Sequence, residues 1–460
     1  MSLLSSSYLQ WPAQRQERAI PLRPLRQRPQ FLEIILLMGL VAMPIARLFQ
    51  FTLTATSIKK APVTVLDIIV LLLTISYILR CFRESTIPFF RQRFPDLIIL
   101  FTAWAIISLL YNSGYFGLDH SRLIFSGLYL ARWFEYSVFY FVGLLVGRNW
   151  IFTKTAMTFL LMGQFLFAGF GIIQSIFLPN FAFILHPHAI AYIDYDVQGH
   201  RLVSTILDPN VAAAYITIGA LLCLAMYLSG MKKYIYLFLI FLTALIMTLS
   251  RGGVLGFIVG AGILTIRPRL SRRKTFIIIA MAAALILAML PWLLPIMIHR
   301  NRLTISDPSA QSRIHDWRLA ERIIVANPVL GVGFNTFGFV MKRYTSQVVG
   351  NSSFGLAGDL LLFPVLTGIP GFCIYLAILW RVRQDCNFII GLAQSRYLTG
   401  LANGIIAVLC AAVTSALFCN VLTYPEIAGT LFCLWGLAGG LADQGRRARS
   451  LAPHPSAARI

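Results

Sequence analysis

A guanidinium group is the side chain best shaped to grip a phosphate through two parallel hydrogen bonds, and this chain places arginines where a charge needs a reason. Arg251 lies in Thr248-Leu249-Ser250-Arg251-Gly252-Gly253-Val254-Leu255, where one apolar run ends and the next begins at once. Gly252 and Gly253 would let the backbone turn sharply and approach a ligand closely, and Ser250 adds a hydroxyl. The plain alternative is an interfacial anchor that snorkels. Arg313 opens a stretch, Ser312 to Arg322, whose spacing predicts an amphipathic helix with Ile314, Trp317 and Leu319/Ala320 turned towards a membrane. Arg313 stands one turn before Trp317 and shares its face, which places its ligand near lipid headgroups; the alternative is a lid held by salt bridges. Arg201 precedes Asp208-Pro209-Asn210, where Asp208 reads as an N-cap and Pro209 as a first helical residue.

Together, Arg201, Arg251 and Arg313 suggest an anion held at a membrane surface, and the natural anion at that height is a lipid-linked phosphate or diphosphate. Arg132 and Glu135 stand at i, i+3 in an otherwise apolar run and are expected to pair, because an arginine in mid-bilayer costs about 2.5–3.5 kcal/mol on insertion scales. A structural pair and a wall of the site both fit them. No acidic cluster is available for a divalent cation. The seven Cys show no Cys-x-x-Cys or Cys/His ligand spacing. Neutralising a leaving diphosphate would therefore fall to the arginines, with no metal or other cofactor.

The elements that must position these residues are membrane helices. Apolar residues make up 58% of the chain and charged residues 12%, about half the share of charge in a soluble domain. The apolar residues come in runs of about twenty, enough to cross a hydrocarbon core of about 30 Å. Spans are expected near 31–49, 63–80, 95–111, 122–147, 152–177, 210–228, 234–249, 252–266, 275–297, 360–380, 398–421 and 427–442. The fold class is thus all-α and polytopic, with about twelve transmembrane helices. Residues 1–30 form a basic cytoplasmic tail without a removable signal peptide, 31–297 hold helices one to nine, and 298–359 a large helical periplasmic loop between helices nine and ten. Residues 360–442 hold helices ten to twelve, and 443–460 a second basic cytoplasmic tail.

The net charge of +22 could suggest nucleic acid, but its placement says otherwise. Most Lys and Arg fall in alternate loops, among them Arg80 and Arg83, Lys232 and Lys233, Arg267 to Lys274, and Arg446 to Arg449. This is the positive-inside pattern of a multi-pass inner-membrane protein with both termini cytoplasmic, and the basic excess also attracts anionic membrane lipids. No nucleic-acid partner is expected.

At these residues the sequence resembles the O-antigen ligase and polysaccharide polymerase family of bacterial inner membranes. Arg251 and Leu255 fit that family's Arg-x-x-x-Leu pattern. The stretch from Arg313 and Trp317 through Asn327-Pro328 to Gly331-Val332-Gly333-Phe334 is similar to its outer-loop block. Arg201-Leu202 with Asp208-Pro209-Asn210 matches a third element, and Thr367-Gly368-Ile369-Pro370-Gly371 a fourth. The likeness covers about residues 200–380. It implies a GT-C-like membrane glycosyltransferase working without metal or nucleotide. Its donor would be an oligosaccharide on undecaprenyl diphosphate, with the diphosphate on residues matching Arg251 and Arg313, and its acceptor a glycan. A flippase and a chain-length regulator would be its partners in the envelope. Ligases of the family carry a His where this chain has Ala357-Gly358. That departure favours a polymerase of surface polysaccharide or exopolysaccharide, with Asp359, His315 or His200 left as the candidate base.

Other readings stay open: transfer of a lipid-linked glycan to another acceptor, as an O-antigen ligase does; a peptidoglycan glycosyltransferase, which needs an essential outer-loop Asp; or a membrane transporter or flippase. The last would need polar groups along the bundle midplane, where Arg132 and Glu135 stand nearly alone.

Overall fold

The computed structural model describes residues 30–48, 50–52, 62–83, 95–185, 200–271, 273, 308–345, 356, 358–392 and 395–450. Helices account for almost all of it. They are α1 (Phe31–Ala42), α2 (Val65–Arg83), α3 (Pro95–Tyr115), α4 (His120–Val146), α5 (Trp150–Phe177) and the short α6 (Phe181–Leu185). Then come α7 (Pro209–Leu228), α8 (Tyr234–Met247), α9 (Arg251–Ile266), α10 (Pro308–Ala326) and the short α11 (Phe337–Val340). The chain closes with α12 (Asp359–Leu392), α13 (Arg396–Ser415) and α14 (Pro425–Ser450).

Among the described residues, seven helices are long and apolar enough to cross a membrane, and shorter apolar helices begin at Phe31, Tyr234 and Arg251. The protein is an all-α, multi-pass membrane protein. The expected spans each meet a helix, except 275–297, which lies outside the described residues, as do residues 1–29 and 451–460 of the two tails. Three details depart from expectation. The first span stops as α-helix at Ala42 and continues as a 3-10 helix, Met43–Leu48, because Pro44 cannot continue the ladder. A two-stranded antiparallel sheet, with Gln50 opposite Thr64 and Thr52 opposite Pro62, precedes α2. The eleventh span, expected to run to residue 421, ends at Ser415.

Helix ends follow local chemistry. Asp119, Asn149 and Asp208 cap α4, α5 and α7. Asp208 accepts from the amides of Asn210 and Val211 at 2.7 and 3.2 Å, with Pro209 in the first helical position as its sequence predicts. The core is the bundle itself, with Phe101, Phe139, Phe238, Phe241 and Phe432 fully buried.

α4 and α14 pack backbone to backbone. Gly143 and Gly147 face Gly436 and Gly440, so both helices present small-xxx-small surfaces. A methyl on Gly436 would lie 2.2 Å from the Tyr140 carbonyl oxygen, and one on Gly440 2.5 Å from that of Leu144. In lipid, where hydrophobic burial between helices is weak, such backbone-to-backbone contact is a main source of association.

Charges gather where neighbouring helix ends meet. Glu33 pairs with Arg80 at 3.4 Å, Arg148 with Asp443 at 3.1 Å, and Asp385 with Arg446. Arg267 donates to Asn403 and Asn387 at 2.9 and 2.6 Å. These basic residues are ones the charge bias assigns to the cytoplasmic side. The segments expected outside meet at the opposite end: the starts of α7, α9 and α12, the end of α13, and α10.

Candidate functional site

Arg251 is the first residue of α9, and its position is set by the turn before it. α8 ends at Met247, and the chain reverses through Leu249, whose φ of +52° lies in the left-handed region that a leucine adopts only under constraint. The Ser250 hydroxyl accepts from the Gly253 amide at 3.3 Å and donates to Asn210 Oδ1 at 3.0 Å. Two helix starts, those of α7 and α9, are thereby tied side by side, with Ser250 as a buried N-cap and not an open donor. Gly252 and Gly253 do not form the turn, as their sequence suggests; both are helical. They allow close approach instead. A methyl on Gly253 would lie 2.3 Å from Ala213 Cβ of α7, and one on Gly252 3.0 Å from Phe418 Cβ.

Arg201 is 5% exposed, and its Nε donates to the Thr248 carbonyl at 2.9 Å. Its neighbour Leu202 donates to the Met247 carbonyl at 3.0 Å. The segment around Arg201 is threaded into the bundle, where Gln174 Oε1 accepts from the Val203 and Ser204 amides, each at 3.1 Å. Arg201 thus braces the turn that launches Arg251.

Arg313 is carried by α10, and α10 is held by a broken helix. In α12 the regular ladder stops at Gly368, with φ +70° and ψ −178°, between Pro364 and Pro370. The breaker run Asn327–Asn335 crosses this gap and takes up the freed backbone groups. Val332 and Gly333 donate to the carbonyls of Val365 and Leu366 at 2.8 and 3.1 Å, and Ile369 donates to that of Pro328 at 2.8 Å. From α3, Ser108 adds bonds to the carbonyls of Leu330 and Leu366 at 2.6 and 2.8 Å. Irregular backbone at such a place survives only when protein satisfies it. Gly368 has no room for a side chain, since a Cβ would lie 2.1 Å from the Val329 carbonyl oxygen. Two of the sequence elements singled out above therefore form one docked unit.

That docking decides which face of α10 is buried. Leu319, Ala320 and Ile323 pack with Val332, Val365 and Leu366 in a second apolar core. The sequence pattern turned Leu319 and Ala320 towards the membrane; they turn inwards because the broken helix offers an apolar seat. Ile314 and Trp317 remain exposed, at 49% and 38%.

Between α9 and α10 lies a cavity of about 350 Å³ lined by Arg251, Gly252, Leu255, Arg313, Ile314, Trp317 and Phe418. Both arginines expected to act together face it, with apolar side chains between them. The Arg313 guanidinium carbon lies 5.6 Å from the centre of the Phe418 ring, and the Trp317 and Phe418 rings are 6.2 Å apart. Two cations beside an apolar wall suit a ligand with an anionic head and an apolar tail. Phe418 escapes sequence reasoning because the apolar run around it reads as the end of a span.

The other candidates stand elsewhere. Asp359 does not line the cavity. It is fully buried, and its carboxylate accepts from the Leu422 amide, so it clamps the α13–α14 connection where a reacting base was expected. His315, next to Ile314, keeps its Nε2 buried with no hydrogen-bond partner among the described residues. Arg132 forms an ion pair with Asp67 of α2, at 3.1 Å. The sequence expected a partner at i, i+3 in Glu135; the ion pair found comes from another helix, and Arg132 and Glu135 both sit in α4, outside the cavity lining. Among the described residues, no group of three or more His, Cys, Asp or Glu is arranged to hold a metal ion.

The fold thus defines a multi-pass membrane protein with an arginine-lined cavity where three segments meet, α9, α10 and the α13–α14 connection. Residues 235–376 match a family model described as O-antigen ligase. The match bears out the resemblance read from the sequence. It contains α8, α9, α10 and the break in α12, hence both Arg251 and Arg313, while Arg201 and Phe418 lie outside it. A comparison with curated proteins gave no match.

Proposed function

We propose that this protein polymerises oligosaccharide repeats carried on undecaprenyl diphosphate into a surface polysaccharide or exopolysaccharide, at the periplasmic face of the inner membrane. The observation that carries the reading is the shared cavity of Arg251 and Arg313, with Leu255, Ile314, Trp317 and Phe418 as its apolar wall. The diphosphate takes the two guanidinium groups, and the first isoprene units take the wall. An acceptor hydroxyl attacks the sugar carbon that bears the diphosphate. The new oxygen–carbon bond forms as the old one breaks, and the electron pair leaves on the diphosphate, where the arginines neutralise it. No metal is required for that neutralisation. The hydroxyl proton passes to a base, for which His315 and Asp359 are the candidates, both outside the cavity lining.

Transfer of a preformed glycan to a different acceptor is the second reading, favoured by the description of the matching family as an O-antigen ligase. Gel analysis of surface polysaccharide in a deletion strain separates the two. Single repeats on a lipid core mean loss of a polymerase; full-length polymer retained on its carrier means loss of a ligase. An unchanged surface polysaccharide overturns both.

A further inference from the structure

The connection between α13 and α14 touches every element that bears on the cavity, although no sequence motif marks it. Phe418 supplies part of the cavity wall, lies under the Arg313 guanidinium and packs against Gly252 at the start of α9. The backbone around it is fixed from α12. The Leu360 amide donates to the Ala416 carbonyl at 3.1 Å, the Gly358 amide donates to Asn420 Oδ1 at 2.7 Å, and Asp359 accepts from the Leu422 amide. Gly358, at φ +118°, comes so close that a Cβ would lie 2.7 Å from the Ala416 carbonyl oxygen. A buried carboxylate with no place in the cavity thus pins a short loop whose Phe418 ring faces the anion site.

We propose that Phe418 is a positioning residue for Arg313, seating its guanidinium against the ring so that it faces the cavity, and that Asp359 and Asn420 hold the loop that carries Phe418. A guanidinium stacked on a ring keeps its edge donors available for an anion. A free arginine side chain would instead have to be ordered on binding. The inference rests on the reading that the cavity receives a polyprenyl diphosphate.

The test uses the full chain in detergent, titrated with farnesyl diphosphate. Phe418→Tyr keeps the ring and should bind within about twofold of wild type, whereas Phe418→Leu should lose roughly 2- to 30-fold. In an Arg313→Ala background the loss from Phe418→Leu should be much smaller than in wild type, leaving only the ring's own share of the apolar wall; Phe418→Met serves the same cycle if the Leu variant does not accumulate. Additive losses, or a Leu variant that binds as wild type while Arg313→Ala does not, overturn the proposal and leave the site intact. An Arg313→Ala protein with unchanged affinity overturns the site reading itself. Asp359→Asn still offers an oxygen to the Leu422 amide and should preserve both binding and surface polysaccharide, whereas Asp359→Ala should weaken both. A protein in which Asp359→Asn binds normally but makes no polymer would show Asp359 to be a base, against the proposal.

Discussion

Replacing Gly368 by alanine should disable the site without touching either arginine. The backbone there has φ +70° and ψ −178°, a region open almost only to glycine, and forcing an alanine into it costs about 1–3 kcal/mol. The new methyl would also lie 2.1 Å from the Val329 carbonyl oxygen and 2.8 Å from that of Pro328. Neither neighbour is a flexible side-chain tip, so the run Asn327–Asn335 must lift off α12. Lifting it exposes the bonds made by Val332, Gly333 and Ile369, and each buried backbone group left unmade costs about 1–3 kcal/mol. The sum is comparable with the stability of a domain, and the structure escapes it by undocking α10, and Arg313 with it. Thermal melting in detergent and gel analysis of surface polysaccharide read the result. Gly368→Ala should melt earlier and give no polymer. Gly391→Ala, in the same helix but with nothing within 4 Å of its added methyl, should be neutral or slightly stabilising. Equal melting and normal polymer in Gly368→Ala would refute the docking argument.

Further expectations follow from the same contacts. Gly436→Ala places a methyl 2.2 Å from the Tyr140 carbonyl oxygen, so it should separate α4 from α14 and lower both the melting temperature and the membrane level, measured by blotting. Arg132→Met leaves Asp67 without its 3.1 Å partner and should destabilise by about 3–5 kcal/mol, while the double variant Asp67→Leu, Arg132→Met should recover much of that loss in the same melting assay. Arg251→Lys keeps the charge but not the two-pronged geometry, so polymer yield at equal expression should fall roughly 10- to 100-fold, as for loss of one charge-assisted bond.

Much of the fold is legible because membrane helices write themselves as long apolar runs, and the charge bias orders their ends. The Asp208-Pro209 start of α7 and the pairing of Arg251 with Arg313 can be read because caps and cations leave local traces. What stays hidden depends on contacts between distant segments. Gly252 and Gly253 look like turn glycines, yet Ala213 and Phe418 dictate their use. Asp67 is 65 residues from Arg132, beyond any helical spacing rule. Leu319 and Ala320 satisfy a membrane-facing pattern as well as an inward one, and only the break at Gly368 decides between them. Asp359 reads as a candidate base from its place in the sequence, which gives no sign of its bond to the Leu422 amide 63 residues away.

The account depends on two guanidinium groups holding one diphosphate, and direct titration of a polyprenyl diphosphate into the purified protein measures that. Arg251→Ala and Arg313→Ala should each weaken binding by about tenfold or more, the equivalent of one charge-assisted bond, with little change for an uncharged polyprenol. Affinity that is unchanged in both variants, or that falls equally for the polyprenol, would contradict it.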